Sequence, residues 1–212
     1  QAMCCPITRV SRGYPVQLRR RLGLDSPGVL WARGDVSLLE KPMVALVGSR
    51  DIEAANAEFA AQVGAQAAKQ GYVLISGNAR GADRIAQNAC LAAGGKVISV
   101  VADELMKQRQ CSNVLYISEE DFDAPFTTQR ALSRNRVIHA LAEKTFVAQC
   151  SMGKGGTWSG TARNLKENWS SVFCFRDGSE TTLQLTQLGA TAVSFSDLEN
   201  FSILAPKNPR FF

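Results

Sequence analysis

Histidine is nearly absent from this sequence, and cysteines in C-x-x-C spacing are absent from it. His139 is the single histidine, and its setting in Arg-Val-Ile-His-Ala-Leu predicts a structural position in a helix. A His-based metal site is therefore disfavoured, and a Ser-His-Asp triad would have to be built around that one residue. The six cysteines are scattered without C-x-x-C spacing, so we expect no disulfide framework. We predict no metal ion and no cofactor.

Long apolar runs are missing as well. No run approaches the roughly 20 residues that a membrane-spanning helix needs, and the N-terminus lacks the charged, apolar and small-residue order of a signal peptide. We therefore expect a cytoplasmic protein without a membrane partner. Of the 212 residues, 45% are hydrophobic and 20% are charged, which is ordinary for a globular chain with one main core. The net charge of +5 permits a polyanionic partner without requiring one.

Strand and helix patterns alternate along most of the chain. Short apolar runs at 44–47, 72–75, 96–101, 114–117, 145–148 and 171–175 predict buried strands. Helical patterns lie between them, among them 52–70 and 126–141. This alternation predicts an α/β, Rossmann-like, doubly wound fold whose mostly parallel sheet has helices on both faces. We divide the chain into a basic N-terminal extension (1–41) that packs on the main domain, the Rossmann-like domain (42–200) and a C-terminal tail (201–212).

Three of the predicted strands end in glycine-containing turns that lead into helices. Such a turn leaves backbone N–H groups unpaired at a helix N-terminus, where the macrodipole favours an anion, and each turn contains an arginine or a lysine. Because the carboxyl ends of parallel strands lie at one edge of a sheet, we expect the turns to converge on a phosphate-binding pocket. The candidate residues are Gly48, Ser49 and Arg50 in the first turn, Ser76, Gly77, Arg80 and Gly81 in the second, and Lys154, Gly155, Gly156 and Thr157 in the third.

The helix predicted over residues 126–141 adds Arg134, Asn135 and Arg136 to these candidates. Positions two apart on a helix point roughly 200° away from each other, so we expect at least one of the two arginines to reach the pocket. Phe126 and Trp158 are the aromatic residues best placed to stack on a nucleobase, although we expect both to lie in the core.

Familiar nucleotide-binding and catalytic motifs are incomplete in this chain. The fingerprint G-x-G-x-x-G does not follow the first strand, and residues 154–157 do not meet the spacing of a P-loop. We expect Asp83 to form a structural ion pair with Arg80, and the acidic residues at 119–123 to make a solvated loop rather than a Mg²⁺ site. No nucleophile has an evident activating base. We therefore predict a binding protein and not an enzyme.

The order of several sequence blocks resembles the DNA-processing protein A family, also called Smf. The blocks are V-G-S-R at 47–50, S-G-N-A-R-G-A-D at 76–83 and R-N-R-V-I at 134–138, and further matches cover nearly the whole chain. The resemblance implies a Rossmann-like domain that binds single-stranded DNA in natural transformation, DNA protection or recombination. It also implies a homodimer and a RecA-type recombinase as partner.

Carried onto this chain, the resemblance implies DNA contacts by Arg50, Arg80, Arg134 and Arg136, to which we add Lys154 from its charge and position. Gln87 and Gln149 stand where the family usually has histidine and glutamate. No winged-helix segment follows the Rossmann-like pattern in the sequence, so we expect a divergent, minimal member of the family.

Two other functions stay open. A Rossmann-like nucleotide-ligand sensor or nucleoside-monophosphate-processing protein would use similar glycine turns. The phosphoribohydrolase block P-G-G-x-G-T-x-x-E lacks its proline and its glutamate at residues 153–160, which argues against a hydrolase but not against a sensor. A purely structural partner domain would leave three glycine turns with adjacent cations unexplained.

Overall fold

A computed structural model describes residues 4–206 of the chain, which form nine β-strands and seven α-helices. The strands are β1 (Cys5–Thr8), β2 (Val29–Arg33), β3 (Met43–Val47), β4 (Val73–Ser76), β5 (Val97–Val100), β6 (Val114–Ser118), β7 (Lys144–Val147), β8 (Ser171–Phe175) and β9 (Thr191–Val193). The helices are α1 (Val16–Leu22), α2 (Ala54–Lys69), α3 (Ala82–Ala92), α4 (Thr128–Ser133), α5 (Asn135–Leu141), α6 (Gly155–Glu167) and α7 (Glu180–Gln187). None of these helices is long and apolar enough to cross a membrane.

All the strands belong to one sheet in the order β1-β2-β6-β5-β4-β3-β7-β8-β9. From β6 to β9 the neighbouring strands pair in parallel, whereas β1 and β2 add an antiparallel edge beside β6. Strands β4, β5 and β6 follow one another on one side of β3, and strands β7, β8 and β9 follow one another on its other side. The switch point of the sheet therefore lies between β3 and β7, whose carboxyl ends border the crevice in which ligands of open parallel sheets bind.

The central strands are continuous apolar runs because helices cover both faces of the sheet. All five residues of β3 are buried. Ala45 and Val47 belong to the core that contains residues of α1, α5 and α7, whereas Val44 and Leu46 belong to the core that contains residues of α2 and α3. The predicted doubly wound, mostly parallel α/β fold is thus confirmed.

The segment before β3 supplies the two edge strands and helix α1, which the sequence pattern did not reveal because the elements are short. Arg21, in the basic run 19–21, donates from Nη1 to the carbonyl oxygens of Ala140 and Ala142 at 2.8 and 2.5 Å. A cation here binds carbonyls at the end of α5, where the helix dipole favours it. The division into extension, main domain and tail stays a prediction, and residues 207–212 of the tail lie outside the described range.

Two helix boundaries differ from the sequence prediction in ways that affect the site. Helix α2 begins at Ala54 rather than at residue 52, because Glu53 before it is still extended, with φ −67° and ψ 154°. The helix predicted over 126–141 is two helices, α4 and α5, which meet at Arg134. Thr127 starts α4 as a side-chain cap, since its Oγ1 accepts the backbone N–H of Arg130 at 3.1 Å.

Candidate functional site

A cavity of about 560 Å³ opens at the switch point of the sheet. Its wall comes from the turn after β3, from α4 and α5, and from the turn that links β7 to α6. The predicted site residues that line it are Gly48, Ser49, Arg50, Arg134, Asn135, Lys154, Gly155, Gly156 and Thr157. The predicted residues that do not line it are Ser76, Gly77, Arg80, Gly81 and Arg136. Two of the three glycine turns therefore bring predicted site residues to one opening. The second turn lines the same opening through Ala79 and Asp83, which are not among the predicted residues.

In the first turn, two backbone donors are already used inside the protein. The backbone N–H of Ser49 donates to the carbonyl oxygen of Gln149 at 2.9 Å, and the N–H of Glu53 donates to the side-chain Oε1 of Gln149 at 2.8 Å. Because α2 starts only at Ala54, its N-terminus is not the anion site that the sequence predicts. Arg50 remains as an exposed guanidinium that forms no ion pair with any carboxylate in residues 4–206.

The first turn also depends on a close approach between two elements. A Cβ atom added at Gly48 would overlap Cβ of Ala82, the first residue of α3, and would lie 3.4 Å from Cβ of Ala148. The hydroxyl of Thr157 donates to the carbonyl oxygen of Gly48 at 3.0 Å. The absence of a side chain at Gly48 thus lets α3 pack against this turn, and Thr157 joins the turn to α6.

The second turn is occupied by a carboxylate of its own helix. Asp83 accepts the backbone N–H groups of Gly77 and Ala79 at 3.1 and 3.3 Å. Burial raises the pKa of Asp83, while the nearby Arg134 and these hydrogen bonds act in the opposite direction. The expected pair between Asp83 and Arg80 is wrong, since Arg80 contacts Asp51 at 2.8 Å in an exposed ion pair. The N–H groups of Gly77 and Ala79 are therefore not available to a bound phosphate.

Arg134 is a buried residue of the cavity wall. Its Nη1 donates to the carbonyl oxygens of Gly77 and Val100, which follow β4 and end β5. Burial lowers the pKa of Arg134, and the Asp83 carboxylate opposes that shift. A Cβ atom at Gly77 would overlap the guanidinium, so glycine is needed there for the arginine to fit. The guanidinium of Arg134 thus binds protein carbonyls and interacts electrostatically with Asp83.

Arg136 points away from the cavity, as the helical spacing of two predicts for one of the two arginines. It forms an ion pair with Glu119, and its Nη1 also donates to the carbonyl oxygen of Ser133 at 3.0 Å. Both charged side chains of the pair are largely buried, with 17% and 7% of their surface exposed. Arg136 instead lines a separate depression that also includes Asp25 and Arg163.

The third turn places the start of a helix in the cavity wall. Helix α6 begins at Gly155, and the preceding Lys154 provides no side-chain cap. The first N–H groups of an uncapped helix have no intrahelical acceptor, and here Gly155, Gly156 and Thr157 line the cavity. Lys154 is exposed beside them. This helix start combines backbone donors, the positive end of the dipole and a lysine on one side of the opening.

Helix α5 fixes the position of the α6 start. The amide Nδ2 of Asn135 donates to the carbonyl oxygen of Gly156 at 3.0 Å. A Cβ atom at Gly156 would lie 3.0 Å from Cδ2 of Leu132, and one at Gly160 would lie 3.1 Å from Cβ of Asn135. The two glycines, four residues apart on one face of α6, let that helix lie close against α4 and α5.

His139 lies in the cavity wall but has the properties of a structural residue. Burial lowers the pKa of His139 to about 3, so the ring is neutral near pH 7. Asn164 Oδ1 accepts the backbone N–H of Ser170 at 2.9 Å, which leaves its Nδ2 to donate to His139 Nδ1 at 3.1 Å. Residues 4–206 contain no group of three or more His, Cys, Asp or Glu side chains that could hold a metal ion. The arrangement can bind an anion, and it presents no assembled acid–base pair for breaking a bond.

The aromatic residues differ from the sequence expectation at one position. Trp158 is partly buried against the core, in line with its prediction. Phe126 was expected in the core, but it is 53% exposed and lines the cavity. Sequence reasoning also missed Gln149, whose backbone and side-chain oxygens accept N–H groups of the first turn. A glutamine after a strand gives no sequence signal of such a role.

Comparison with known proteins points to one family. The family described as DNA recombination-mediator protein A matches residues 6–201. DNA processing protein DprA of Bacillus subtilis is 26% identical over 217 residues, which covers 95% of this chain and 71% of that protein. The Streptococcus pneumoniae protein of the same name is 30% identical over 141 residues, which covers 62% of this chain and 50% of that protein. The matched part of this chain thus spans half the length of the S. pneumoniae relative.

Solved structures agree with the sequence comparison. The crystal structure of S. pneumoniae DNA processing protein A superposes with a TM-score of 0.79 at 29% sequence identity, covering 92% of this chain and 73% of that one. The structure of DNA processing protein A from Helicobacter pylori superposes with a TM-score of 0.75 at 24% identity, covering 94% of each chain. At that lower identity, the second likeness is one of fold.

Proposed function

The chain belongs to the DNA recombination-mediator protein A family, and we propose that it binds single-stranded DNA through the cavity at the switch point of its sheet, without enzymatic activity. The H. pylori relative is described as having a unique single-stranded DNA-binding mode. The observation that carries the proposal for this chain is the composition of the cavity. Arg50, Lys154 and the uncapped start of α6 contribute positive charge and free N–H donors to one opening.

The candidate residues take different parts in this proposal. Arg50, Lys154 and the N–H groups of residues 155–157 bind phosphate. Gly48, Ser49, Asn135 and Arg134 shape and support the wall, and Ser76, Gly77 and Gly81 support the second turn. Arg80 binds a phosphate of the DNA where the DNA leaves the cavity near Asp51. Its ion pair with Asp51 is exposed and therefore weak enough to be exchanged for a phosphate. Arg136 contributes only indirectly, through its pair with Glu119.

Binding of this kind is directed at the nucleic-acid backbone. Each neutralised phosphate releases condensed counterions, so affinity falls steeply as salt concentration rises. Base sequence has little influence when contacts are made to phosphates.

We extend the proposal to DNA protection or recombination, with a homodimer and a RecA-type recombinase as partners, on the strength of the family resemblance. Light scattering and pull-down with a purified recombinase test those two partnerships.

A nucleotide-ligand sensor is the second candidate, and the size of the cavity favours it. A volume of about 560 Å³ lies within the range of sites that enclose a single small ligand. Such a ligand would place its phosphate on the same donors at α6. Fluorescence anisotropy with a labelled oligothymidylate, in competition with AMP and ADP-ribose, separates the two functions. Binding that resists both small competitors supports the DNA-binding proposal, and ready displacement by either supports the sensor.

A further inference from the structure

The lining of the cavity combines two kinds of group. Arg50, Lys154 and the start of α6 are cationic or carry N–H donors, as described above. Phe126 and Leu132 also line the cavity, and they are 53% and 43% exposed although both are apolar. A phosphate or another small anion uses only the cationic groups. A nucleotide unit, which joins an anionic phosphate to a flat aromatic base, can use both kinds.

The segment that carries Phe126 is held in place by its neighbours. Arg130 donates from Nη1 to the carbonyl oxygens of Ala124 and Pro125, the latter at 2.5 Å, and from Nη2 to the hydroxyl of Ser118 at 3.2 Å. On the other side of the phenylalanine, Thr127 caps α4. The backbone is therefore anchored on both sides of Phe126, directly before and directly after it, and tied to the end of β6.

The ring itself is not used in packing the fold. Phe126 belongs to neither of the two core clusters, and no other aromatic ring in residues 4–206 stacks on it. Exposed apolar side chains are common, and what sets this ring apart is its place in the cavity wall, where half of its surface is open to a ligand. A rigidly held, half-exposed ring at the wall of a cationic cavity fits the stacking platforms on which proteins bind unpaired bases.

We propose that Phe126 is the platform on which a nucleobase of the bound strand stacks, while the adjacent phosphate lies on Arg50, Lys154 and the start of α6. This inference rests on the proposed binding of single-stranded DNA to the cavity. Stacking on a phenyl ring tolerates every base, because each base has a π-face. Phe126 thus makes the site prefer base-bearing strands over a bare sugar-phosphate chain without reading sequence.

The test compares two ligands and four proteins. The ligands are a short labelled oligothymidylate and an abasic oligomer of equal length and charge. The proteins are the wild-type chain and the variants Phe126→Ala, Phe126→Trp and Leu183→Ala; Leu183 is a matched control because it is 59% exposed on α7, outside the cavity. Phe126→Ala is expected to weaken oligothymidylate binding about tenfold to a hundredfold, the range for loss of one stacked base, and to leave abasic binding unchanged. Phe126→Trp and Leu183→Ala are expected to keep the wild-type preference.

The outcomes separate this inference from the function on which it rests. Two results overturn the role of Phe126 and leave DNA binding intact. In the first, the wild-type protein binds both oligomers equally. In the second, a folded Phe126→Ala variant loses affinity for both oligomers alike or for neither. Wild-type protein that binds neither oligomer at low salt overturns both proposals. A Phe126→Leu variant, which keeps an apolar side chain but removes the π-face, replaces Phe126→Ala if thermal unfolding shows that the alanine variant is misfolded. Quenching of 2-aminopurine in the strand by wild-type protein, lost in Phe126→Leu, is the expected spectroscopic signature.

Discussion

Arg134 and Asp83 bind the two backbone polar groups of Gly77, one each. The guanidinium of Arg134 donates to the carbonyl oxygen of Gly77, and the carboxylate of Asp83 accepts the Gly77 N–H at 3.1 Å. Each side chain is at most 7% exposed, and the two opposite charges favour each other's ionised form. The pair therefore fixes the turn after β4 and supports the cavity wall.

Replacing Arg134 with alanine is expected to destabilise the fold strongly. The change leaves the buried carbonyl oxygens of Gly77 and Val100 without their charged donor, and each buried polar group left unpaired costs about 1 to 3 kcal/mol. Urea denaturation of the variant measures the loss in the free energy of unfolding. Arg80→Ala is the matched control, because its ion pair with Asp51 is exposed and is worth at most about 1 kcal/mol. Equal effects of the two substitutions contradict the assignment of Arg134 as a buried support.

Gly48→Ala is expected to disturb the first turn and the packing of α3. The added methyl group overlaps the Cβ of Ala82, and such overpacking costs about 1 to 3 kcal/mol. Gly28→Ala serves as control, because a Cβ atom there meets nothing within 4 Å. Thermal unfolding of both variants tests the contact. A Gly48→Ala protein as stable as the control shows that α3 does not need this close approach.

Acidification is expected to destabilise the protein through His139. Its pKa is about 3 in the folded state and about 6.5 when unfolded, so the unfolded chain takes up a proton first. The neutral ring therefore contributes to the free energy of unfolding. This contribution is fully present above a pH of about 6.5 and is lost as the pH falls towards 3, with a slope of about 1.4 kcal/mol per pH unit. Asp83, whose pKa is raised, acts with the opposite sign at the acidic end of this range.

The contribution of His139 is isolated by comparing the wild-type chain with His139→Gln. Chemical denaturation between pH 7 and pH 5 is the measurement, and the difference in the free energy of unfolding between the two proteins should shrink as the pH falls. A difference that stays constant over this range shows that His139 is not buried in its neutral form.

Gln87→His is expected to be tolerated. Gln87 is 6% exposed in α3, and its Nε2 has no hydrogen-bond partner in residues 4–206, so the substitution gives up no bond of that amide nitrogen. The family resemblance predicts that histidine fits this position, and the expected change in the free energy of unfolding is below about 1.5 kcal/mol, on the scale of volume-conserving swaps. Circular dichroism and thermal unfolding measure it. Aggregation or a large drop in melting temperature would show that α3 packs differently here from its relatives.

The fold could be predicted from the sequence because its central strands are short apolar runs separated by helical patterns. The predicted strand at 171–175 matches β8 residue for residue, and the predicted opposition of Arg134 and Arg136 follows from helical geometry alone. The antiparallel strands β1 and β2 escaped prediction, since four or five residues leave little periodic signal.

The site was predicted less completely, and the reason is hydrogen bonding over long sequence separations. Nothing local in the sequence shows that Gln149 occupies the donors of the first turn, or that Asp83 faces Arg134 rather than Arg80. Three glycine turns look equivalent in the sequence, yet only the third places the first residues of its helix, Gly155, Gly156 and Thr157, in the wall of the cavity. The exposure of Phe126 likewise depends on where Arg130 anchors the preceding segment.

The salt dependence of oligothymidylate binding tests the central claim most directly. For single strands, the slope of log K against log salt concentration is about −0.7 per neutralised phosphate, so Arg50→Ala and Lys154→Ala should each weaken binding and reduce the slope by about that amount. Lys166→Ala, at the opposite end of α6, is the control and should leave both quantities unchanged. Steep wild-type salt dependence that flattens in the two cavity variants and not in the control is the predicted result. Binding that is absent at low salt, or equally affected by all three substitutions, would contradict a DNA-binding cavity at this switch point.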